Sequence, residues 1–282
     1  MMLENLEIGL CWGTLQNADL LQLIEAAGRH GFPTLSVRPV SVFAAVEAVG
    51  EAGLRRRLAD AGTRVRVIDA LSGGLPGLPP PEAQDAALPG LSAGSPEACF
   101  RAAEAVEAPI VNVAHFGGRP VPRAEMADAL AVICRGAAER GLKIVLEFIP
   151  DTGIPTIGEA FALAEAVGLP DCGVLLDTWH LARSGGTIED VRALPSGAIG
   201  TLQLSDRTPP APGEVYVPMT GRKQPGEGEL PLKVILEAAM ANNRALTAEL
   251  EVFNDELRSL SIDGAAARTA EALKVWREKL GG

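Results

Sequence analysis

Four strand-like segments in the second half of the chain each carry a metal-binding type of side chain at or near their end. These are Glu147 in KIVLEF, Asp177 in CGVLLD, Gln203 in IGTLQLSD and Glu251 in LTAELEVF. Helix-like stretches separate the segments, and this alternation is typical of parallel β/α folds. A parallel barrel gathers the C-terminal ends of its strands around one axis. The pattern therefore predicts that the four side chains meet at one mouth of a barrel.

Strand and helix signals alternate along the whole chain. Several strands are near-continuous apolar runs, as expected where helices cover a parallel sheet. The predicted strands are 6–12, 33–38, 64–69, 109–115, 142–149, 172–177, 198–204 and 245–253. The predicted helices are 18–30, 42–61, 95–107, 122–140, 157–168, 231–243 and 263–279. We expect an α/β fold, a single (β/α)8 TIM barrel domain over residues 1–282. An open doubly wound sheet would place a Gly-rich nucleotide loop after its first strand, and CWGTLQNADL is not such a loop.

Length and composition agree with one barrel. A domain of this kind takes roughly 250 residues, and the chain has 282. Hydrophobic residues make up 47% of the chain and aromatic residues only 4%. The core must therefore consist mainly of Val, Leu, Ile and Ala, which are the residues that fill barrel interiors.

Charge and segment composition limit the partners. The net charge of −11 argues against nucleic acid, which requires a basic surface. No apolar run approaches the roughly 18 residues of a membrane span, and MMLENLEIGL is unlike a signal peptide. None of the four cysteines lies in a CxxC pair. We expect a cytoplasmic protein with a small-molecule substrate and no nucleic-acid or membrane partner; a homo-oligomer is compatible with the sequence.

The ligand types predict one hard divalent cation. Three carboxylates and an amide make an oxygen-rich site, which favours Mg²⁺ or Mn²⁺, with Zn²⁺ or Co²⁺ also allowed. Two alternatives stay open: Glu147 paired with an arginine inside the barrel, and Gln203 bonded to a neighbouring backbone. Glu249 and Glu251 are two residues apart and so share one face of a strand, and spacing alone does not choose between them.

Two histidines are candidates for proton transfer to the substrate or for substrate binding. His180 follows Asp177 by three residues in LLDTWH, so it can move a proton while the aspartate binds metal. Packing against Trp179 is the structural alternative. His115 closes IVNVAH and is either a substrate contact or a core histidine.

Basic residues near strand ends can bind an anionic substrate. Arg38 ends the second strand and can hold a carboxylate or phosphate. Arg207 lies beside a long loop and can close over the substrate. For Arg222 and Lys223 we favour exposed loop positions. Asp206 is expected to orient a lysine or arginine at the rim.

Two long segments rich in Gly and Pro follow strands and therefore belong to the mouth. They are residues 71–94 and 205–230. Loops of this length in a compact domain are commonly functional lids. We expect residues 205–230 to become ordered when an anionic ligand binds.

Five motifs together resemble one known group of enzymes. LEFIP, LLDTWH, LQLSD, PGEGELPL and AELEVFND are similar to successive signatures of the xylose isomerase-like barrel superfamily, the sugar phosphate isomerase/epimerase group. The resemblance runs from about residue 110 to residue 260 and is weaker before. It implies a (β/α)8 barrel and one divalent metal held by Glu147, Asp177, Gln203 and Glu251, and it favours Glu251 over Glu249. Gln203 stands where the family commonly has His, and this variant is similar to 3-dehydroshikimate dehydratases. Endonuclease IV shares the fold, but its three-metal site needs histidines that this chain lacks.

The resemblance implies an enzyme that removes a proton next to a carbonyl. In an isomerase or epimerase acting on a sugar or sugar phosphate, Glu147 and Glu251 flank the substrate and exchange protons. In a dehydratase of the 3-dehydroshikimate or inosose type, His180 is a candidate for the proton of the leaving hydroxyl. A catalytically inactive sugar-binding barrel is the third interpretation.

Overall fold

The alternating strands and helices fold into a closed barrel. The computed structural model describes residues 3, 6–209, 211, 213–214, 217 and 219–281. The strands are β1 (Glu7–Cys11), β2 (Thr34–Val37), β3 (Arg64–Leu71), β4 (Ile110–Ala114), β5 (Lys143–Glu147), β6 (Cys172–Asp177), β7 (Ile199–Leu204), β8 (Asp206–Arg207), β9 (Arg222–Lys223) and β10 (Thr247–Leu250). Eight of them close a barrel in the order β1-β10-β7-β6-β5-β4-β3-β2, with parallel neighbours throughout. The predicted (β/α)8 TIM barrel is confirmed.

Helices surround the barrel. They are α1 (Leu20–His30), α2 (Pro39–Asp60), α3 (Pro81–Ala87), α4 (Pro96–Val106), α5 (Arg123–Ala138), α6 (Ile157–Val167), α7 (Thr178–Arg183), α8 (Ile188–Ala193), α9 (Leu232–Asn242), α10 (Asp255–Ser259) and α11 (Ile262–Gly281). Sequence signals start several of them: the Thr156 hydroxyl accepts from the Glu159 N–H at 3.3 Å. The prediction missed α3, α7, α8 and α10, whose five to seven residues are too few to show an apolar period.

Alternation along the strands sorts side chains into layers. Successive residues of a strand point to opposite faces, so residues two apart share one face. On β5, Ile144 and Leu146 pack in the main core beneath the helices, while Val145 belongs to a separate small apolar cluster inside the barrel. Glu147 is two residues beyond Val145 and therefore points inward as well, one layer nearer the mouth. The same step of two separates Leu175 from Asp177 and Thr201 from Gln203.

The second long segment is closed at its base. β8 and β9 pair in antiparallel register, with Asp206 opposite Lys223 and Arg207 opposite Arg222. Residues 210, 212, 215, 216 and 218 of the predicted lid lie outside the described residues, so the lid stays a prediction. Among the described helices, none combines the length and the apolar character that crossing a bilayer requires.

The PGEGEL stretch wraps around a single carboxylate. The Asp206 carboxylate accepts from the N–H groups of Gly226 at 3.1 Å, Gly228 at 3.0 Å and Leu230 at 2.9 Å. A Cβ on Gly228 would lie 2.1 Å from the Arg207 carbonyl oxygen, so only glycine fits this approach. Asp206 therefore fixes this backbone. The prediction was that Asp206 orients a basic side chain; its carboxylate instead accepts from the backbone N–H of Arg207.

Candidate active site

The four residues predicted as metal ligands lie at the same end of the barrel. Glu147 and Asp177 are the last residues of β5 and β6. Gln203 on β7 is in register with Asp177, and Glu251 directly follows β10. None of the four is more than 6% exposed. Residues spread over about a hundred positions of sequence thus form one buried cluster, because the barrel collects its strand ends.

Asp177 is held as an anion. Its Oδ1 accepts from the N–H groups of Trp179 at 2.6 Å and His180 at 3.1 Å, as the N-cap of α7. Its Oδ2 accepts from Arg222 Nη1 at 2.9 Å. Burial opposes ionisation, but the charge of Arg222 and these hydrogen bonds outweigh it and hold the pKa of Asp177 below its usual range.

Glu251 shares the same guanidinium and contacts the amide of Gln203. Arg222 Nη1 lies 2.7 Å from Glu251 Oε2, and Gln203 Nε2 lies 3.0 Å from Glu251 Oε1. Burial raises the pKa of Glu251 well above its ordinary value, and the repulsion of Asp69, Glu147 and Asp177 adds to it, while Arg222 opposes the shift. The carboxylate is thus crowded with negative charge that one guanidinium only partly balances.

Glu147 is held by a neutral donor. Its Oε2 accepts from Asn112 Nδ2 at 2.7 Å. Burial, followed by the repulsion of Asp69 and Asp177, raises the pKa of Glu147 to about 8, against the hydrogen bond from Asn112. A carboxyl whose pKa lies near neutral pH is suited to proton transfer.

His180 lies between the two strand-end carboxylates. Its Nε2 is 3.4 Å from Glu147 Oε1 and 3.6 Å from Asp177 Oδ2. Burial lowers its pKa to about 4, so the imidazole is neutral near pH 7. The three residues offer ligand atoms within 4.8 Å of one another. The position fits the predicted proton transfer and also a direct metal contact, and the role assigned from sequence stays a prediction.

Arg222 was expected on the exposed loop, and the structure corrects this. The residue is 3% exposed, and its guanidinium lies 5.6 Å from the ring of Trp179 and 5.2 Å from that of Phe253. Its backbone N–H donates to the Phe253 carbonyl at 3.0 Å, which draws β9 over the mouth. The burial follows from pairing with distant segments, for which GRKQ gives no local signal.

Two further polar residues at the mouth were missed. Asp69 on β3 is 4% exposed and accepts from Asn112 Nδ2 at 2.8 Å, Trp12 Nε1 at 3.2 Å and Gln203 Nε2 at 3.2 Å. Asn112 on β4 joins Asp69 to Glu147. A signal for Asp69 existed, since it closes the apolar run VRVID just as Asp177 closes CGVLLD.

The structure separates the two glutamates of the last strand. Glu249 accepts from Thr34 Oγ1 and Thr201 Oγ1, both at 3.3 Å, one layer below the mouth. Burial raises its pKa to about 7, against these hydrogen bonds. Glu251 reaches Arg222 and Gln203, so it is the glutamate that lies beside the other predicted ligands.

A cavity of about 410 Å³ opens above the cluster. Its polar floor includes Glu147, His180 and Glu251, and Trp12 and Phe253 form part of its apolar wall, with ring centroids 5.4 Å apart. The remaining lining comes from both long loops and from the ends of the strands, including Arg38, Leu88, Phe116, Ile149, Met219 and Arg222. The combination of apolar walls and a few convergent polar groups is typical of small-molecule sites.

The predicted substrate contacts fall into two groups. Arg38 lines the cavity, lies 5.1 Å from the Trp12 ring and donates to the Pro89 carbonyl; burial lowers its pKa. His115 and Arg207 are not among the lining residues. His115 Nε2 lies 2.9 Å from the Pro76 carbonyl, and its Nδ1 accepts from the Gly153 N–H at 3.1 Å. Arg207 pairs with Glu229 at 3.1 Å. A substrate contact by His115 would require these bonds to break, because both of its ring nitrogens are engaged. The guanidinium of Arg207 has further N–H groups besides the one bonded to Glu229.

The donor set fits a divalent cation. Glu147 and Asp177 have ligand atoms within 4.8 Å of each other, and Glu251, which is in contact with the Gln203 amide, belongs to a neighbouring group. The Gln203 Oε1 atom is buried with no hydrogen-bond partner among the described residues. A cation would give that oxygen a partner and would relieve the repulsion that raises the pKa values of Glu147 and Glu251.

Comparison with known proteins identifies the family of this barrel. The sequence profile described as "Xylose isomerase-like TIM barrel" matches residues 23–279. The chain belongs to the xylose isomerase-like TIM barrel family. Among solved structures of this family's fold, a crystal structure of IolI protein with a bound zinc atom has a TM-score of 0.82 and 17% identity, covering 97% of this chain and 98% of that one. At this identity the likeness shows the fold.

Curated relatives of this xylose isomerase-like barrel are enzymes. An inosose isomerase of Halalkalibacterium halodurans is 29% identical over 140 residues, which are 49% of this chain and 49% of the relative. A 3-dehydroshikimate dehydratase of Pseudomonas putida is 27% identical over 135 residues, 48% of this chain and 21% of the relative. The matched part thus spans about half the length of the first relative and about a fifth of the second.

Proposed function

We propose that the protein is a divalent-metal-dependent isomerase or epimerase that removes the proton next to the carbonyl of a small polyhydroxylated compound. The observation that carries the proposal is the placement of Glu147 and Glu251 on the floor of one cavity, with His180 beside them. Two carboxyl groups at one substrate can take a proton and return one.

The substrate class follows from the cavity and the relatives. A space of about 410 Å³ suits a sugar-sized molecule. The names of the relatives, inosose isomerase and 3-dehydroshikimate dehydratase, both refer to small ring compounds that carry a carbonyl and hydroxyl groups. The apolar wall of Trp12 and Phe253 provides a surface for the carbon face of such a ring, and we propose a cyclic or linear polyhydroxy ketone.

Each residue has a separate task in this scheme. A cation held by Glu147, Asp177, Gln203 and Glu251, most simply Mg²⁺ or Mn²⁺, would polarise the carbonyl and stabilise the charge that develops on its oxygen. Glu147 takes the proton from the carbon next to the carbonyl, and Glu251 supplies one from the other side of the substrate. Asp177 remains ionised and fixes the start of α7, which positions His180 to exchange a proton with a substrate hydroxyl.

Dehydration of a 3-dehydroshikimate-like substrate is the second candidate. Gln203 in place of the usual histidine and the dehydratase relative favour it. Arg38 at the cavity wall provides a bidentate partner for a ring carboxylate. The first proton removal is the same, after which His180 gives a proton to the departing hydroxyl.

Proton exchange tests the step that both candidates share. The metal-loaded protein is incubated in D₂O with an inosose, a panel of keto sugars or 3-dehydroshikimate, and loss of the α-proton signal is followed by NMR. We expect exchange with at least one substrate, loss of exchange in Glu147→Gln, and retention in Glu249→Gln, a matched change one layer below. Absorbance of the conjugated product separates dehydration from isomerisation. Absence of exchange on every substrate, in protein shown to hold metal, would overturn the proposal.

A further inference from the structure

A second group of ligand atoms lies beside the proposed catalytic cluster. Cys11 Sγ, Asp69 Oδ2 and Glu251 Oε1 lie within 4.8 Å of one another. The sulfur is 3.3 Å from Glu251 Oε1 and 3.5 Å from Asp69 Oδ2. All three residues are at most 4% exposed. Of these residues, the proposed reaction uses only Glu251.

The separations match the edges of a metal tetrahedron. A thiolate about 2.3 Å and a carboxylate oxygen about 2.1 Å from one zinc-sized ion are roughly 3.6 Å apart at tetrahedral angles. The two sulfur–oxygen distances, 3.3 and 3.5 Å, are within a few tenths of this value. Along these two edges the atoms need only small shifts to hold an ion.

The amide of Gln203 contacts two members of this group and carries a buried oxygen without a partner among the described residues. Its Nε2 donates both to Glu251 Oε1 at 3.0 Å and to Asp69 Oδ2 at 3.2 Å, so the amide is aimed into the group. Its Oε1, on a residue only 2% exposed, has no hydrogen-bond partner among the described residues. Turning the amide by half a rotation brings this oxygen among the same atoms, where a cation would satisfy it.

Burial and the charges of Glu251 and Asp69 raise the pKa of the Cys11 thiol, and only the Gly13 N–H opposes this shift, so the thiol gives up its proton when a cation binds to the sulfur. Cys11 ends β1 inside the barrel, and the Gly13 N–H lies 3.4 Å from its sulfur as a donor. Trp12 Nε1 donates to Asp69 at 3.2 Å and keeps that carboxylate turned toward the sulfur. Asp69 and Glu251 line the cavity, which gives a cation a path from the mouth.

We propose that Cys11, Asp69, Gln203 and Glu251 form a second cation site, selective for thiophilic divalent metals such as Zn²⁺, Co²⁺ or Cd²⁺. When the ion binds, the Cys11 S–H bond breaks, its proton leaves to solvent, and a sulfur–metal bond forms. The hydrogen bonds that the thiol and the amide gave to the carboxylates are replaced by bonds to the metal. Glu251 bridges the two sites through its two oxygens, and the Gln203 amide serves one ion at a time.

Metal spectroscopy on the purified full chain tests this site without any activity assay. Titration with CoCl₂ should produce the ultraviolet thiolate-to-cobalt charge-transfer band, and Cys11→Ser should abolish it. Cys134→Ser, a change of the same kind at a cysteine of α5, should keep the band. Manganese affinity, measured by electron paramagnetic resonance with MnCl₂, should change by less than about twofold in Cys11→Ser, because the hard ion uses the oxygen ligands.

Asp69→Asn provides a second variant in case Cys11→Ser does not fold. It should weaken cobalt binding by roughly 10–100-fold or more, the range found for groups that support a metal ligand, and manganese binding by a smaller factor. The proposal is overturned by a wild-type protein that binds cobalt without the charge-transfer band, by a band that survives Cys11→Ser, or by loss of manganese together with cobalt in that variant. These outcomes are independent of the proton-exchange test, which is run with Mn²⁺ or Mg²⁺.

Discussion

The fold shifts the pKa values of two carboxyl groups at neighbouring strand ends in opposite directions. Asp177 accepts from two backbone N–H groups and from Arg222, and its pKa lies below the usual range. Glu147 accepts from the neutral amide of Asn112, and its pKa is raised to about 8. Both side chains are almost fully buried, 0% and 6% exposed, so the difference comes from their partners.

This difference separates two tasks. A carboxylate that stays ionised is a permanent ligand, whereas one whose pKa lies near neutral pH can give and take a proton. Pairs of acids whose surroundings move their pKa values apart are the pattern expected of acid–base sites. Substitutions of Asp177, of Glu147 and of His180 between them test whether the two carboxyl groups have these separate tasks.

The largest effect is expected for Asp177→Asn. The change removes an anionic metal ligand and leaves the buried Arg222 with one carboxylate fewer. We expect metal and activity to be lost together, with a loss of stability of roughly 3–5 kcal/mol, as for other broken buried ion pairs. Metal content by mass spectrometry and urea unfolding check this. A variant that keeps stoichiometric metal would show that Asp177 is not a ligand.

Glu147→Gln removes the proton-transfer group and keeps the shape, but it also takes one anionic ligand from the proposed cation, so metal content is measured together with turnover. Turnover should fall by roughly 10²–10⁴, the usual contribution of a positioned acid or base, in a protein that remains folded. Steady-state kinetics on the substrate found by proton exchange measures the loss, and Glu249→Gln is the control. Equal losses in the two variants would mean that the effect is structural.

His180→Asn tests whether the residue between the two carboxylates transfers a proton or binds metal. We expect metal content to be nearly unchanged and turnover to fall by roughly 10²–10⁴. If the variant also loses its metal, the imidazole is a ligand of the cation. If it keeps both metal and full turnover, His180 is structural and the proton passes through Glu147 or Glu251.

The smallest effect is expected in the pH dependence of the free energy of unfolding, which reports the shifted pKa values directly. In the metal-free protein, Glu147 binds a proton up to a pKa of about 8, against roughly 4.3 for an unfolded glutamate, so the folded state binds more protons between these values. Stability must therefore fall as pH rises toward about 8. His180, with its pKa lowered to about 4, acts on the acid side, where stability falls as pH drops below roughly 6.5.

Urea unfolding between pH 6.5 and 8 isolates the contribution of the carboxyls. Wild-type protein should lose on the order of 1.4 kcal/mol for each unit of pKa difference that is titrated in this window, and Glu147→Gln should lose less. Glu249, with a pKa of about 7, contributes to the lower part of the window in both proteins. An unchanged slope in Glu147→Gln would show that the carboxyl is already ionised at neutral pH.

The barrel could be predicted from the sequence, because each of its strands carries its own apolar signal. The predicted 172–177 agrees with β6, and the other seven predicted ranges contain or overlap their strands. The positions of the proposed ligands followed from the same pattern, since burying a carboxylate at the end of a strand is costly unless a cation or a hydrogen-bond donor compensates its charge. Asp69 also ends a predicted strand, 64–69, but it was not among the predicted site residues.

Contacts between distant segments could not be predicted in this way. Arg222 is buried because β9 pairs with β8 and its backbone bonds to Phe253, two interactions that its neighbours in sequence do not indicate. The same limit applies to His115, whose ring nitrogens are taken by two loops far away in sequence. Local pattern predicts which residues end strands, but it does not predict which loop residues fold back over them.

The short pairing of β8 with β9 separates the residues of the proposed reaction from a loop segment whose sequence can be replaced. The segment 208–221 connects the two strands, while Asp206 and Arg222, which belong to the pairing, are bonded to the PGEGEL backbone and to the Phe253 carbonyl. Lengthening a loop whose ends are already joined costs only about 0.6 kcal/mol per doubling. Met219, in this stretch, lines the cavity. Grafting a different 208–221 segment should therefore alter which molecule is accepted while leaving the acids of the floor as they are.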